Sequence, residues 1–322
     1  MQPQWTKSYP RPVTISLLLF DRFSNLCLAN CIEPMRAANT LLGQPLFEWL
    51  IFTPDGLSSR SSSGLDVLAQ ASAEQMPASD YLFVLASYEH ERHDSSKNRR
   101  LLRQLSRHSN VIVGFDAGPW LMASAGLLKD RHATVHWDLL PAFSEAFLDV
   151  QIERRRIVRD AEIVTCAGAM SALDLTLDLI AEHAGQAARL EVSRLFLHGD
   201  PPLTGARTTG GYDPLVQRAV DIMADRLEQP ISLSALAKSL SCQPRTLDRR
   251  FRKRLGAPPG QVYRHMRLSA ARAMIEDSAR SVTEIALLCG YDSPSALTRA
   301  IRRQYGISPR ELRAGALPMR SE

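Results

Sequence analysis

The chain has 322 residues, 45% hydrophobic and 23% charged, a balance that excludes disordered or fibrous polymers and leaves room for two domains with separate cores. Its net charge of +5 is unevenly divided: residues 213–322 carry 19 Lys and Arg against 11 Asp and Glu, whereas 1–212 carry 20 against 23. That is the pattern of a polyanion-binding module attached to something else. The longest clean apolar run, residues 13–20, reaches about half of the roughly 20 residues a membrane-spanning helix needs, so no membrane contact is expected. No secretory cleavage signal follows it, and a cytoplasmic location is expected. The five cysteines, at 27, 31, 166, 242 and 289, form no CxxC pair, which argues against a disulfide framework, a zinc site or any other metal site, and no cofactor is expected.

In chain order, residues 1–10 read as a tail and 11–200 as a first domain. Runs at 13–20, 47–53, 81–86 and 110–115 are strand-like, with helical stretches at 24–39 and 95–107. This alternation predicts an α/β layered fold with a largely parallel sheet of the flavodoxin-like kind. After the strand at 110–115 comes Gly114-Phe115-Asp116-Ala117-Gly118 and then an apolar helix with Trp120, Leu121 and Met122. Glycines flanking one side chain at a strand-to-helix turn have the form of a nucleophile elbow, here presenting an aspartate.

Two passages in this domain, FSNLCLANCIEPMRAAN (23–39) and DAGPWLMASAGLLKDRHATVHW (116–137), resemble the class I glutamine amidotransferase-like (PfpI-type) domain used in GlxA-type AraC regulators. The resemblance implies that Asp116 stands at the position of the reactive cysteine, His136 at that of its histidine partner and Glu33 at that of the acidic residue beside the elbow. A carboxylate is a far weaker nucleophile than a thiolate, so the elbow is expected to recognise rather than to catalyse. Asp116 and Glu33, with Phe115, Trp120 and Trp137 as walls, would favour a cationic ligand through charge and cation–π attraction. The 23–39 passage continued to residue 56, with aspartate at the elbow, resembles the subgroup that senses carnitine, glycine betaine or related quaternary amines, with arginine sensors close by.

Residues 201–213, rich in Gly, Pro and Thr, read as a linker, and 214–322 as an all-α second domain. Here the sequence repeats at a spacing of 50: Pro244, Leu247, Arg249, Phe251, Leu255, Gly256 and Pro259 recur as Pro294, Leu297, Arg299, Ile301, Tyr305, Gly306 and Pro309. Each copy reads as helix, tight turn, helix. Ser281 and Glu284 form a capping-box pattern, Gly290 permits the second turn, and Ser293 with Pro294 opens the following helix. Ala237 and Ala286 are 49 apart, so the second turn is one residue longer. Between the copies, residues 258–278 predict a helical stretch, with Val262, Met266, Ala270, Ala273 and Met274 along it, that can hold the two units in fixed relation.

The passages LDRRFRKRLGAPPGQVYRHMRLSAARAMIEDS and SVTEIALLCGYDSPSALTRAIRRQYGISPREL resemble the DNA-binding domain of AraC/XylS-type transcription regulators, departing at Gln243, where a serine cap is usual, and at Ile301, where phenylalanine is common. With the apolar stripes turned inward, Arg245, Thr246, Asp248 and Arg249 of the first copy and Ser295, Ala296, Arg299 and Arg303 of the second are expected to meet a double-stranded operator. The whole reads as an activator controlled by a small, cationic effector and acting as a homodimer. A hydrolase or amidase tethered to a DNA-binding domain is the alternative.

Overall fold

The expected alternation of strand and helix is realised as one seven-stranded sheet. In a computed structural model, which describes residues 4–196 and 213–315, the strands are β1 (Val13–Leu19), β2 (Phe47–Thr53), β3 (Ser59–Arg60), β4 (Asp66–Val67), β5 (Ala71–Ser72), β6 (Ser79–Ala86), β7 (Ser109–Asp116), β8 (His132–Ala133), β9 (Gln151–Ile152), β10 (Ile157–Asp160) and β11 (Ile163–Cys166). The main sheet has the order β10-β11-β7-β6-β1-β2-β5. Only β10 pairs antiparallel within it. Parallel strands covered on both faces need no polar side, and β1 and β6 are accordingly buried along nearly their whole length, with apolar stretches Leu17–Leu19 and Tyr81–Ala86 that do not alternate.

The helices of this part are α1 (Asn25–Leu42), α2 (Ser96–Ser106), α3 (Gly118–Ser124), α4 (Leu140–Ala146), α5 (Ala169–Ala184) and α6 (Gln186–Phe196). α1 pairs with α5 on one face, and α2 with α3 on the other. The strands expected at 13–20, 47–53, 81–86 and 110–115 and the helices at 24–39 and 95–107 are all present. The pair β10–β11 and the helix α5 were not expected. α5 buries Leu173, Leu175, Thr176, Leu177, Leu179 and Ile180, residues spread around most of its circumference, so no single stripe marks it as amphipathic.

The second unit is helical: α7 (Pro214–Asp225), α8 (Leu233–Ser239), α9 (Pro244–Leu255), α10 (Pro259–Asp277), α11 (Val282–Leu288), α12 (Pro294–Tyr305) and α13 (Pro309–Arg313). Residues 4–7, expected within the tail, and 185–191, expected within the first domain, group with this unit. Trp5 is buried in its core, and the Gln186 and Ala187 amides donate to the Gln4 and Trp5 carbonyls at 2.9 and 2.8 Å. Glu191, half-buried, accepts the Ser269 hydroxyl and lies against His265 Nε2, both on α10; burial opposes its charge, but these partners hold its pKa below the ordinary value. The linker expected at 201–213 lies outside the described residues except for Asp213, which caps α7 by accepting from the Leu215 and Val216 amides.

The helical unit has two cores. Leu236, Ala237, Leu247 and Phe251 belong to the first, and Ile285, Ala286, Leu297 and Ile301 to the second. α10 serves both, giving Val262, Tyr263 and Met266 to one and Leu268, Ala271 and Ile275 to the other. Of the apolar residues along the expected helix, Ala273 is exposed, while Leu268, Ala271 and Ile275 are buried. A helix held between two cores turns a different side to each, and one stripe cannot describe it.

Candidate effector pocket and nucleic-acid interface

The elbow stands at the carboxyl ends of β1, β6 and β7, the edge at which open parallel sheets gather ligands. Asp116 ends β7 with φ of 60°, a left-handed conformation that costs an ordinary residue about 1–2 kcal/mol. Close packing enforces the flanking glycines. A Cβ on Gly114 would lie 2.6 Å from Met122 Sδ, and one on Gly118 would lie 2.3 Å from the Val84 carbonyl oxygen. α3 therefore sits directly on the sheet, and the side chain between the glycines is thrust out at the turn.

A short chain of hydrogen bonds holds that side chain. The Ser24 amide donates to Ser87 Oγ at 2.9 Å, and Ser87 Oγ donates to Asp116 Oδ2 at 2.7 Å. Burial raises the Asp116 pKa, while the Ser87 hydrogen bond and the nearby His136 and His90 oppose the rise. The His136 amide donates to the Asp116 carbonyl at 3.0 Å, and its Nδ1 accepts from the Asp138 amide at 3.4 Å. With Nδ1 an acceptor, the ring carries its proton on Nε2. Gly168 lets the ring lie close, since a Cβ there would come within 3.1 Å of His136 Cδ2.

The structure brings Asp116, His136 and Trp137 together and separates the other expected pocket residues from them. Trp137 is 68% exposed, its ring centroid 5.5 Å from that of His136. Trp120 packs inward, against His90 at 4.9 Å and Phe147 at 5.3 Å. Phe115 is fully buried and packs at a tilt against Phe83, ring centroids 5.0 Å apart. It faces away from α3, because side chains alternate along β7 and the neighbouring Gly114 faces Met122. Phe115 and Trp120 thus lie on opposite faces of the sheet and cannot wall one pocket. Glu33 is half-exposed and pairs with Arg36 at 2.8 Å; no hydrogen bond among the described residues joins it to Asp116 or His136. Ser87, to which the sequence assigned no role, is the side chain that bonds to Asp116, and His90 acts on its charge. Their signal was positional: Ser87 directly follows the carboxyl end of a predicted strand, and His90 lies three residues further on.

The thiols nearby are not nucleophiles in waiting. Cys27, hydrogen-bonded to Cys31 and fully buried, has its pKa pushed well up by that bond and by burial, and burial does the same to Cys166. Both stay protonated and inert at neutral pH. Among the described residues no group of three or more His, Cys, Asp or Glu is placed to hold a metal ion.

In the helical unit both copies form helix-turn-helix pairs, α8–α9 and α11–α12. Their turns differ in length as the spacing predicts, residues 240–243 in the first and 289–293 in the second. α11 starts with the expected capping box of Ser281 and Glu284, and Ser293 caps α12 by accepting from the Ala296 amide. Gln243 precedes α9 without any side-chain cap. On α9 and α12, Leu247, Phe251, Leu297 and Ile301 point inward, leaving Arg245, Arg249, Ser295, Arg299 and Arg303 exposed and Thr246, Asp248 and Ala296 half-buried beside them. Asp248 pairs with Arg252 at 2.8 Å and Arg250 with Asp213 at 3.0 Å.

A doubled helix-turn-helix in a basic unit, carried with an α/β unit whose elbow bears a carboxylate, defines a transcription regulator with a ligand-binding domain. Residues 236–315 match the model of a helix-turn-helix domain, and residues 17–182 match that of the DJ-1/PfpI family. The chain is 34% identical over 307 residues to the HTH-type transcriptional regulator GlxA of Rhizobium meliloti, covering 93% of this chain and 95% of that one. It is 31% identical over 313 residues to the HTH-type transcriptional regulator GbdR of Pseudomonas aeruginosa, with 94% and 85% covered. A solved AraC family transcriptional regulator from Pseudomonas putida superposes with a TM-score of 0.51 at 22% identity, over 57% of this chain and 100% of that one, a likeness of fold. The chain belongs to the AraC-type HTH regulators that carry a DJ-1/PfpI domain. With relatives that are regulators, the hydrolase alternative is not favoured. No described helix is long and apolar enough to cross a membrane.

Proposed function

We propose that this regulator reads its operator through the outward sides of α9 and α12 and takes a small cationic effector at the Asp116 elbow, with activation as the output. The observation that carries the reading is the exposure of Arg245, Arg249, Arg299 and Arg303, which have no ion-pair partner among the described residues, on two helices whose inner sides are fixed by the two cores. An arginine held this way offers a bidentate match to guanine or to phosphate. Arg299→Ala is expected to weaken operator binding by tenfold or more in a gel-shift titration; unchanged affinity and sequence preference remove Arg299 from the interface.

For the effector, support comes from the half-buried Asp116 side chain with Trp137 exposed beside His136. Candidates are glycine betaine, carnitine, dimethylglycine and arginine. Calorimetry is expected to show heat for at least one of them with the native chain and none for Asp116→Ala. Silence from all four sinks the cationic reading. A homodimer is the proposed working form, supported by the exposed apolar side chains of Tyr88, Trp137 and Met170 in the α/β unit. A monomeric mass with and without operator would refute it.

A further inference from the structure

Residues 1–212 carry more acids than bases, yet one face of α2 is basic throughout. The helix buries Leu101, Leu102 and Leu105 in the core of the α/β unit. Lys97, Arg100, Arg103 and Arg107 project from the opposite side at helical spacing, all exposed. Ion pairs set this row apart. Other arginines of the unit sit against carboxylates: Arg11 on Asp80, Arg22 on Glu89, Arg36 on Glu33, Arg159 on Glu182. Even Arg99, on the flank of the same helix, is taken by Asp94 at 2.6 Å. Among residues 8–184 the lysines and arginines with no ion-pair partner are those of this row, with Lys129 and Arg154 standing singly in loops. Arg103 gives one N–H to the Ala125 carbonyl at 3.2 Å.

Like charges crowded on one helix face repel, a cost that an external anion lying over the face removes. The face holds no exposed large apolar side chain, which a helix lying in a membrane surface needs. Long cations with no aromatic among them match phosphate rather than base edges or an unpaired strand. From Lys97 to Arg107 the row runs about 15 Å, the rise of roughly four phosphates along one strand of a duplex. DNA is the polyanion that this chain already holds, through its helix-turn-helix domain. We propose that the outer face of α2 docks on the phosphate backbone beyond the base pairs read by the helical unit, which makes the α/β unit a sequence-independent DNA-binding surface. This needs only that the helical unit hold DNA, whichever of its side chains do so, and it is independent of the effector reading at Asp116.

The experiment uses the full chain and two duplexes. One ends at the outermost base pair whose substitution changes affinity; the other adds about 15 base pairs of unrelated sequence, roughly one and a half helical turns, at each end. Anisotropy titrations from about 50 to about 200 mM salt read the gain that the added ends bring. The native chain is expected to gain affinity from the ends at low salt and to lose that gain as salt rises. Arg100→Ala combined with Arg107→Ala removes two contacts. The slope of log affinity against log salt on the long duplex should then become shallower by about 2, a loss of about tenfold in salt-sensitive affinity over that range, with the short duplex unaffected. Both positions are exposed and alanine favours helix, so folding is not at stake. Lys129→Ala combined with Arg154→Ala takes the same charge from the same unit and should leave the gain intact, as should the charge-keeping Arg100→Lys combined with Arg107→Lys. No gain from the ends in the native chain, a gain that survives the paired alanines on α2, or an equal loss in the Lys129 and Arg154 variant overturns the proposal. Each of these outcomes leaves the reading of α9 and α12 standing, which Arg299→Ala tests on the short duplex alone.

Discussion

The two helix-turn-helix units are the same device held together by different means. In the second, the turn reverses at Gly290 with φ of 66°; in the first, the corresponding position is Ser241 with φ of 51°, a left-handed serine. The second recognition helix is capped by Ser293, whereas the first starts at Gln243 with no cap. Arg267 of α10 braces the second turn, donating to the Cys289 carbonyl at 2.7 Å and to that of Gly290, its guanidinium 4.5 Å over the Tyr291 ring. The first unit has in its place the ion pair between Arg250 and Asp213, whose arginine is half-exposed. A fold repeated in sequence need not be repeated in stability, and here the second copy has the stronger local supports.

The largest test of that difference is Gly290→Ala. A Cβ there would lie 2.4 Å from Pro230 Cγ and 2.6 Å from the Leu227 carbonyl oxygen, in a conformation that already disfavours a side chain. A loss on the order of 3–5 kcal/mol is expected, from overpacking against backbone added to left-handed strain. Hydrogen exchange should show α11 and α12 opening while α8 and α9 keep their protection. Equal loss of protection in both units would mean that they open together and that the asymmetry has no energetic meaning.

Next in size is Arg267→Ala. Hydrogen bonds from a charged donor to buried carbonyls are worth about 1.5–3 kcal/mol each where no water replaces the donor, and the variant strips two of them with a cation–π contact. Part of the turn is open to solvent, so a loss of about 2 kcal/mol is expected, confined to the exchange of amides in α11 and the 289–293 turn. Arg250→Ala, by contrast, should cost less than about 1 kcal/mol, as exposed ion pairs do. If the two arginines prove equivalent, the brace on the second turn is an ordinary surface contact.

How far the sequence disclosed this architecture follows from the range of the interactions. Caps, turns and apolar stripes act over a few residues, so the doubled unit, the unequal turns and the bounds of α10 were all legible. The side of α10 that each core takes was not, because it depends on what packs from either direction. At the elbow the sequence named Asp116, His136 and Trp137 together with Glu33 and Phe115. Glu33 turned to Arg36, and Phe115 went to the opposite face of the sheet. Ser87 reaches Asp116 only because β6 and β7 pair with Ala86 opposite Asp116. That register joins residues 29 apart in the chain, as Ser87 and Asp116 are, and no short motif encodes it.

The smallest effect bears on why the first unit lacks the supports of the second. Gln243→Ser would install on α9 the cap that Ser293 provides on α12, whose Oγ accepts from the Ala296 amide at 3.2 Å. Gln243 already has the extended backbone of a cap residue, with φ of −81° and ψ of 146°, so the substitution demands no rearrangement. Serine at such a position is worth about 1 kcal/mol over a residue that makes no cap. The gain should appear as slower exchange of amides in the first turn of α9 and a higher denaturant midpoint for the helical unit. If protection rises toward that of α12, cap chemistry accounts for the difference between the two recognition helices. If it does not, the difference lies in the shorter turn, and Ser241→Gly, which relieves the left-handed serine, becomes the substitution that equalises the pair.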